Sequence, residues 1–198
     1  TFQKDAYCIG TEEFENDSFR FALDYTLPNG SLIYASYAKG FASGGFNNDD
    51  RVSAFPAETA DNYEIGTKGT YLDGKLQVNA NVFLFDYINN QRSVARIDPN
   101  SGAASIATVP IQKAEVDGYE IEIKAFINDY FSVLASRGAY GGKYIEFVDD
   151  NGNDLTGFAY DAEGPESRTN ITLLNVFSLN SRTISSSLSW THVADDFT

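Results

Sequence analysis

From Ser18 to Leu27 the odd positions are apolar, Phe19, Phe21, Leu23, Tyr25 and Leu27, while the even ones are Ser18, Arg20, Ala22, Asp24 and Thr26. Period-two alternation predicts a β-strand with both of its charges on one face. Asn62 to Tyr71 repeats the pattern, with Tyr63, Ile65, Thr67, Gly69 and Tyr71 opposing Asn62, Glu64, Gly66, Lys68 and Thr70. After the hairpin signal Asp73-Gly74, Leu76, Val78, Ala80, Val82 and Leu84 alternate with Gln77, Asn79, Asn81, Phe83 and Phe85. Further along, Tyr119, Ile121 and Ile123 alternate with Glu120, Glu122 and Lys124, and Ile184, Leu188 and Trp190 with Ser185, Ser187, Ser189 and Thr191. Leu32 to Phe41, Tyr130 to Tyr140 and Arg168 to Leu179 are apolar on parts of both faces, so the pattern predicts strands there without assigning their faces. The count is about eight strands, each near the roughly 9 to 11 residues with which a tilted strand crosses a bilayer. Thr1 to Glu15 carries no clear period.

The connections alternate as well. Tight joints at Pro28-Asn29-Gly30, Leu72-Asp73-Gly74-Lys75, Ile127-Asn128-Asp129 and Asn180-Ser181 take turns with long polar stretches at Ala42 to Glu58, Ile88 to Lys113 and Gly141 to Ser167. In an antiparallel meander every second connection lies on the same rim. All long loops therefore leave one end and all tight turns the other, which is the form of an outer-membrane β-barrel. Tyr25, Tyr63, Tyr71, Tyr87, Tyr140, Tyr144 and Trp190 fall near strand ends, where such a barrel carries its aromatic girdles. The alternation also suits a soluble β-sandwich with its apolar faces turned to a shared core, so both architectures stand at this point. Within Ile88 to Lys113, the segment Asp98-Pro99-Asn100-Ser101-Gly102 supplies a turn and the flanks Arg92 to Ile97 and Ala103 to Val109 can pair. Such a hairpin would extend past the membrane and project its arginines outward.

Composition narrows the function classes. No stretch approaches the roughly 18 consecutive apolar residues of a membrane helix, so any crossing is made by strands. A mean hydropathy of −0.29 accords with strands that give lipid only every second residue. A net charge of −14 argues against nucleic-acid binding, which needs clustered Lys and Arg. Much of the excess lies in loops, including Glu146, Asp149, Asp150, Asp154, Asp161, Glu163 and Glu166. The lone Cys8 forbids an internal disulfide framework, and one cysteine with one histidine, His192, excludes metal sites built on clusters of those residues. No nucleophile motif accompanies His192, which points to a wall histidine and away from an enzyme. The run Asp149-Asp150-Asn151-Gly152-Asn153-Asp154 offers hard oxygen ligands for calcium. Its glycine does not fall where an EF-hand loop requires it, and the same residues build ordinary exposed turns. Asn170-Ile171-Thr172 matches a glycosylation sequon, which means nothing in a bacterial outer membrane. With no methionine, no signal segment at Thr1 and no obvious ending at Thr198, the expectation is an internal piece of a longer protein.

Three segments resemble the TonB-dependent outer-membrane receptors. Tyr34-Ala35-Ser36-Tyr37-Ala38-Lys39-Gly40-Phe41 with Ser43-Gly44-Gly45-Phe46-Asn47 is similar to a strand-into-loop segment of that family. Pro56-Ala57-Glu58-Thr59-Ala60-Asp61-Asn62-Tyr63-Glu64-Ile65-Gly66-Thr67-Lys68 resembles the strand that follows. It runs in family order into Leu72-Asp73-Gly74-Lys75-Leu76-Gln77-Val78-Asn79-Ala80 and Phe85-Asp86-Tyr87. Ala114-Glu115-Val116-Asp117-Gly118-Tyr119-Glu120-Ile121-Glu122 is a weaker match to the family's Gly-x-Glu-x-Glu strand. The resemblance implies an all-β, antiparallel transmembrane β-barrel segment spanning residues 1–198, with the plug domain and remaining strands lying outside it. It implies a parent that closes a barrel of about 22 strands around an N-terminal plug. Such a parent imports a scarce nutrient, a ferric siderophore first among them and carbohydrate or cobalamin otherwise, with energy drawn through a TonB complex that the plug segment contacts. No cofactor is implied. A free-standing small barrel with a structural or adhesive role and a secreted β-sandwich binding module are the other readings. On the receptor reading, ligand-contacting candidates lie at the external rim. Arg51, Arg92 and Arg96 suit an anionic ligand, and Tyr37, Phe41 and Phe46 offer stacking surface. Gly44-Gly45 is expected to supply a backbone bend.

Overall fold

The computed structural model describes residues 11–47, 54–97, 102, 104–149, 152–157, 166–179 and 182–195. Among the described residues ten strands follow one another: β1 (Arg20–Thr26), β2 (Leu32–Ala42), β3 (Gly45–Phe46), β4 (Ala54–Phe55), β5 (Glu58–Tyr71), β6 (Leu76–Ile97), β7 (Ala104–Phe126), β8 (Phe131–Glu146), β9 (Glu166–Leu179) and β10 (Arg182–Asp195). Eight form one sheet in the order β1-β2-β5-β6-β7-β8-β9-β10, every neighbour antiparallel, and β3 pairs with β4 inside the first long connection. The eight-strand meander matches the sequence expectation. The sheet is open, with β1 and β10 at its edges.

The tight rim is built by residues that tolerate unusual backbone or cap it. Gly30 adopts φ +82°, its amide donates to the Leu27 carbonyl at 2.9 Å, and the Asn29 side chain accepts from the Ser31 amide at 3.1 Å. At the β5–β6 turn, Leu72, Asp73 and Gly74 all have positive φ, which the right-handed twist of a tight hairpin demands. At β7–β8 the Asn128 side chain accepts from the amides of Tyr130 and Phe131 at 2.9 Å each.

Strand pairing fixes the faces. On the outer face Leu23, Ala35, Ile65, Val82 and Tyr119 follow one another across five strands, and Ala135, Ile171 and Trp190 across the last three. Leu23, Ile65, Val82, Ile171, Leu173, Ile184, Leu188 and Trp190 are all exposed there. The inner face carries the polar groups among some apolar ones: Ser36 and Glu64 share one row with Phe83, and Asn81 and Glu120 another with Gly66 and Gly138. The three strands without a clean pattern owe their ambiguity to apolar inner residues near the tight rim. Leu32, Leu134, Leu174 and Val176 share the inner face with Ser36, Ser136 and Thr172.

Beyond the membrane-spanning part, β6 and β7 continue as the expected hairpin, with Arg92 opposite Val109 and Ile97 opposite Ala104. The turn residues Asp98 to Ser101 lie outside the described residues. The buried apolar core sits here: Ala107, Ile111, Ala114 and Tyr144 are enclosed, and Tyr87, Phe147 and Leu155 pack against Ile111, Ala114 and Tyr144. The first long connection is pinned to the hairpin. Asn47 donates through Nδ2 to the Thr108 carbonyl at 2.8 Å and accepts the Thr108 amide at 2.6 Å, imitating a strand neighbour. The Gln91 amide donates to Glu58 Oε2 at 2.7 Å, and its side chain donates to the carbonyls of Ser43 and Pro56.

One expectation is corrected. Tyr87 and Tyr144 belong to this external core, and Tyr140 lies on the inner face opposite Gly118, so these three take no part in a lipid-facing girdle. Sequence position near a strand end does not reveal the face once a bulge intervenes. Pairing slips between Lys113/Glu146 and Ala114/Tyr144, leaving Ile145 as an extra residue. Gly44 and Gly45 lie where the chain passes from β2 into β3, without a left-handed φ. A Cβ at Gly44 would lie 2.5 Å from the Phe14 ring and one at Gly45 2.7 Å from Phe55, so these glycines admit close ring packing.

Candidate functional site

The inner face carries a polar constellation at the centre of the sheet. Tyr34 and Glu64 come from β2 and β5, Asn81 from β6 and Glu120 from β7. The Tyr34 hydroxyl donates to Glu64 Oε1 at 2.5 Å. Asn81 Nδ2 lies 3.4 Å from both Glu64 Oε1 and Glu120 Oε2, bridging the two carboxylates. Gly66 makes the first contact possible, because Tyr34 is paired with it and a Cβ there would sit 2.5 Å from the phenol ring. A cavity of about 810 Å³ opens over this cluster, and Lys68, Arg168, Ser136 and Asn170 line it further. The polar surface continues to the edge. Asn170 Nδ2 donates to Ser136 Oγ at 3.3 Å, Thr191 Oγ1 donates to Asn170 Oδ1 at 2.9 Å, and the hydroxyls of Thr172 and Ser189 lie 3.0 Å apart. Chemically this is a water-facing wall whose paired carboxylates accept donors from a cationic or hydroxylated occupant.

The rim candidates fall in different places. Tyr37 lies on the outer face between Phe19 and Tyr63, with ring centroids 5.6 and 5.1 Å away, and its hydroxyl donates to Asp61. Phe41 ends β2 opposite Thr59, and Phe46 stands exposed in β3. Arg92 sits on the hairpin opposite Val109, near enough to the Tyr87 hydroxyl to act on its charge. Arg96 is placed opposite Ser105, four residues further along the same strand. Arg51 and Cys8 lie outside the described residues. The structure thus brings Phe41, Phe46 and Arg92 to the external end and leaves Tyr37 on the wall facing outward. The inner cluster of Tyr34, Glu64, Asn81 and Glu120 was not singled out by sequence reasoning. The signal was present in the even positions of β5 and β7, which hold every charge of their alternating runs between Asn62 and Tyr71 and between Tyr119 and Lys124.

Above the outer apolar band runs an ionic belt, with Lys113 3.6 Å from Asp86 and Lys143 3.1 Å from Glu115. The acidic stretch near Asp149 is a self-satisfied turn. Asp149 accepts from the Asn153 amide and from its side chain at 2.8 Å each, and Asp154 accepts from the Thr156 amide at 2.9 Å. Those bonds, the Thr156 hydroxyl first and its amide second, hold the Asp154 carboxyl below its ordinary value. Asp150 and Asn151 lie outside the described residues. His192 stands on the outer face, stacked at 5.8 Å on Trp190.

Comparison with known proteins agrees with this geometry. Residues 4–197 match the family model described as TonB dependent receptor-like, beta-barrel. The ferripyoverdine receptor of Pseudomonas aeruginosa is 31% identical over 135 residues, which is 67% of this chain and 16% of that receptor. The ferric-pyoverdine 358 receptor of Pseudomonas putida is 29% identical over 132 residues, 67% of this chain and 15% of that protein. The chain thus spans less than a fifth of these relatives. Among solved structures, the alcaligin outer-membrane receptor FauA from Bordetella pertussis superposes with a TM-score of 0.56 at 21% identity, over 90% of this chain and 30% of that one. The siderophore receptor PiuA from Acinetobacter baumannii superposes at 0.52 and 17% identity, over 91% and 30%. At those identities the likeness shows the fold.

Proposed function

Because the chain belongs to the family of TonB-dependent receptor β-barrels, outer-membrane proteins of Gram-negative bacteria, we propose that it is a wall section of a receptor importing a ferric siderophore. The observation that carries this reading is the inverted polarity of the sheet: apolar side chains are exposed on the outer face while hydrogen-bonded carboxylates and amides line the inner one. A sandwich would bury the former. Relatives named for pyoverdine and the structural neighbour named for alcaligin support the ligand class.

In this reading a plug from elsewhere in the parent fills the lumen and contacts TonB, and the inner carboxylates Glu64 and Glu120 face it. Phe41, Phe46, Arg51, Arg92 and Arg96 are proposed to meet the ligand at the external end, where an iron chelate with ionised oxygens suits guanidinium partners. Tyr37 has the weakest support among these candidates because its ring packs on the outer wall. The experiment is uptake of radioactive iron as ferric pyoverdine by a receptor-deficient Gram-negative strain carrying the full parent gene, with and without TonB. Uptake that needs both supports the proposal. Absence of binding and uptake across pyoverdine, alcaligin and other ferric siderophores, by a correctly inserted receptor, would overturn the ligand class.

A further inference from the structure

The first long connection holds the external hairpin by both of its edges. In an antiparallel ladder alternate residues turn their N–H and C=O away from the paired strand. Gln91 of β6 is one of these, facing Pro110, which has no N–H to offer, and Thr108 of β7 is another, facing Ser93. The two open on opposite sides of the hairpin. The Gln91 amide donates to Glu58 Oε2 at 2.7 Å, and its side-chain Nε2 donates to the carbonyls of Ser43 at 2.9 Å and Pro56 at 3.2 Å. Asn89 adds a bond on that edge, from Nδ2 to the Ala57 carbonyl at 3.3 Å. On the other edge both backbone groups of Thr108 are taken by Asn47, at 2.6 and 2.8 Å. The connection thus meets the β6 edge at Ser43, the β7 edge at Asn47, and the β6 edge again from Pro56 to Glu58.

A segment that visits both edges crosses a face of the hairpin between them. Burial agrees with the crossing: Ala107, on the face shared with Val94, Arg92 and Val109, is enclosed, whereas Ile106 on the opposite face is exposed. Ordering a long connection costs conformational entropy, and here side-chain bonds at two separate points meet that cost in the folded protein, before any ligand is present. Two residues that the proposed function places at the ligand adjoin these points in sequence. Phe46, exposed, directly precedes Asn47, and Arg92 directly follows Gln91. The ladder fixes how they stand to each other, since Arg92 pairs with Val109, the neighbour of the Thr108 that Asn47 holds.

We propose that Gln91 and Asn47 are positioning residues: they strap the first long connection across the hairpin, so that Phe46 and Arg92 meet the ligand as one surface formed before it arrives. Their role toward the ligand rests on the receptor reading above, while the strap itself does not. The test uses the full parent in lipid vesicles, with its native cysteines replaced and spin labels at Ala54→Cys and Ile106→Cys, both exposed positions of β4 and β7. Without ligand the wild-type label separation should be narrowly distributed, and ferric pyoverdine should leave it unchanged. Gln91→Met combined with Asn47→Ala should broaden it. The same double variant should raise the Kd for ferric pyoverdine about tenfold with unchanged stoichiometry per folded receptor, because the ordering cost moves into the binding step. A merely structural role would instead lower the number of folded receptors, counted by heat-modifiable migration, and leave Kd alone. A wild-type distribution that is broad and narrows with ligand, or an equally narrow one in the double variant, would overturn the strap. An unchanged Kd in a variant whose distribution has broadened would overturn the positioning role. A folded parent that binds no ferric siderophore at all would overturn the receptor reading and with it the role toward the ligand, and the labels alone would then decide the strap. Should the double variant not fold, Gln91→Met alone is read in the same way.

Discussion

The β6–β7 hairpin passes through two solvents, and its two halves obey opposite rules. In the half between the tight rim and Leu84, apolar residues such as Val78, Val82 and Ile121 face outward, and Val82 is 55% exposed. In the half beyond Tyr87, an apolar cluster is enclosed instead: Ala107 is 0% and Ile111 1% exposed, while Ile106 stays open to solvent. The backbone ladder keeps one register throughout, Leu76 with Ala125 at one end and Ile97 with Ala104 at the other. Polarity inverts because the surroundings do. Lipid takes the apolar face where it surrounds the sheet, and water drives it inward where the strands emerge. The crossing is marked in the chain by Asn89 at φ +54° on β6 and by the bulge at Ile145 on β8, devices that re-aim side chains without breaking the sheet.

The comparison is broken most forcefully from the external side. Ile111→Asp places an uncompensated charge in an enclosed apolar site, a change worth about 3–5 kcal/mol by analogy with unpaired buried ions. The external layer should open, read as rapid proteolysis of the long connections while the membrane-spanning strands stay protected. Protection of the loops equal to wild type would deny that this cluster is their core. Next comes the reverse experiment, Val82→Arg, on the outer face midway between the tight rim and the ionic belt, which should cost roughly 2–4 kcal/mol in the folding free energy of the parent in lipid vesicles, as a charge near midplane does. Asn79→Arg, pointing inward from the same strand, should change it by no more than about 0.5 kcal/mol. Equal costs for the two would remove the distinction between the faces. A smaller effect is expected of Asn47→Ala, which deletes two hydrogen bonds of about 1 kcal/mol each. Its signature is faster amide exchange at Thr108, because that amide donates to Asn47.

How far each half was legible follows from the same contrast. The membrane half announces itself, since period-two alternation is the direct image of a sheet with lipid on one side, and β1, β5 and β6 read cleanly. β9 did not, because Leu174 and Val176 point inward near the tight rim, where an open sheet fragment gives no reason for apolar residues. The external half showed only its turn and its pairing flanks. Its core of Ile111, Ala114 and Tyr144 joins residues of two strands around a bulge, and no local period encodes a bulge. The candidate site was hidden differently. Glu64, Asn81 and Glu120 each look like an ordinary inward polar residue, and only the registers of β5, β6 and β7 bring them together. The Asn47 clamp, spanning 61 residues of sequence, had no local signal at all.

The finest distinction between the two regions is electrostatic and lies in the external turn after Phe147. Asp154 caps the Thr156 amide and hydroxyl there, and these donors favour its ionised form, so its folded value lies below the ordinary 3.8. A depressed carboxylate contributes order that is fully present above its unfolded value and lost as pH falls through the folded one. Exchange at the Thr156 amide should therefore stay slow at neutral pH, after allowance for the intrinsic rate, and quicken only well into the acid range. Asp154 is open to solvent, so screening keeps this effect the smallest of the series. Asp154→Asn should abolish the pH dependence at Thr156 while leaving the amides of the Asp149 turn, capped by their own carboxylate, unchanged. If Thr156 exchange in wild type shows no acid transition, the turn is held by its backbone bridge at Val148–Asp154 and the Asp149 bonds, and the Asp154 carboxylate contributes nothing to the order of the external layer.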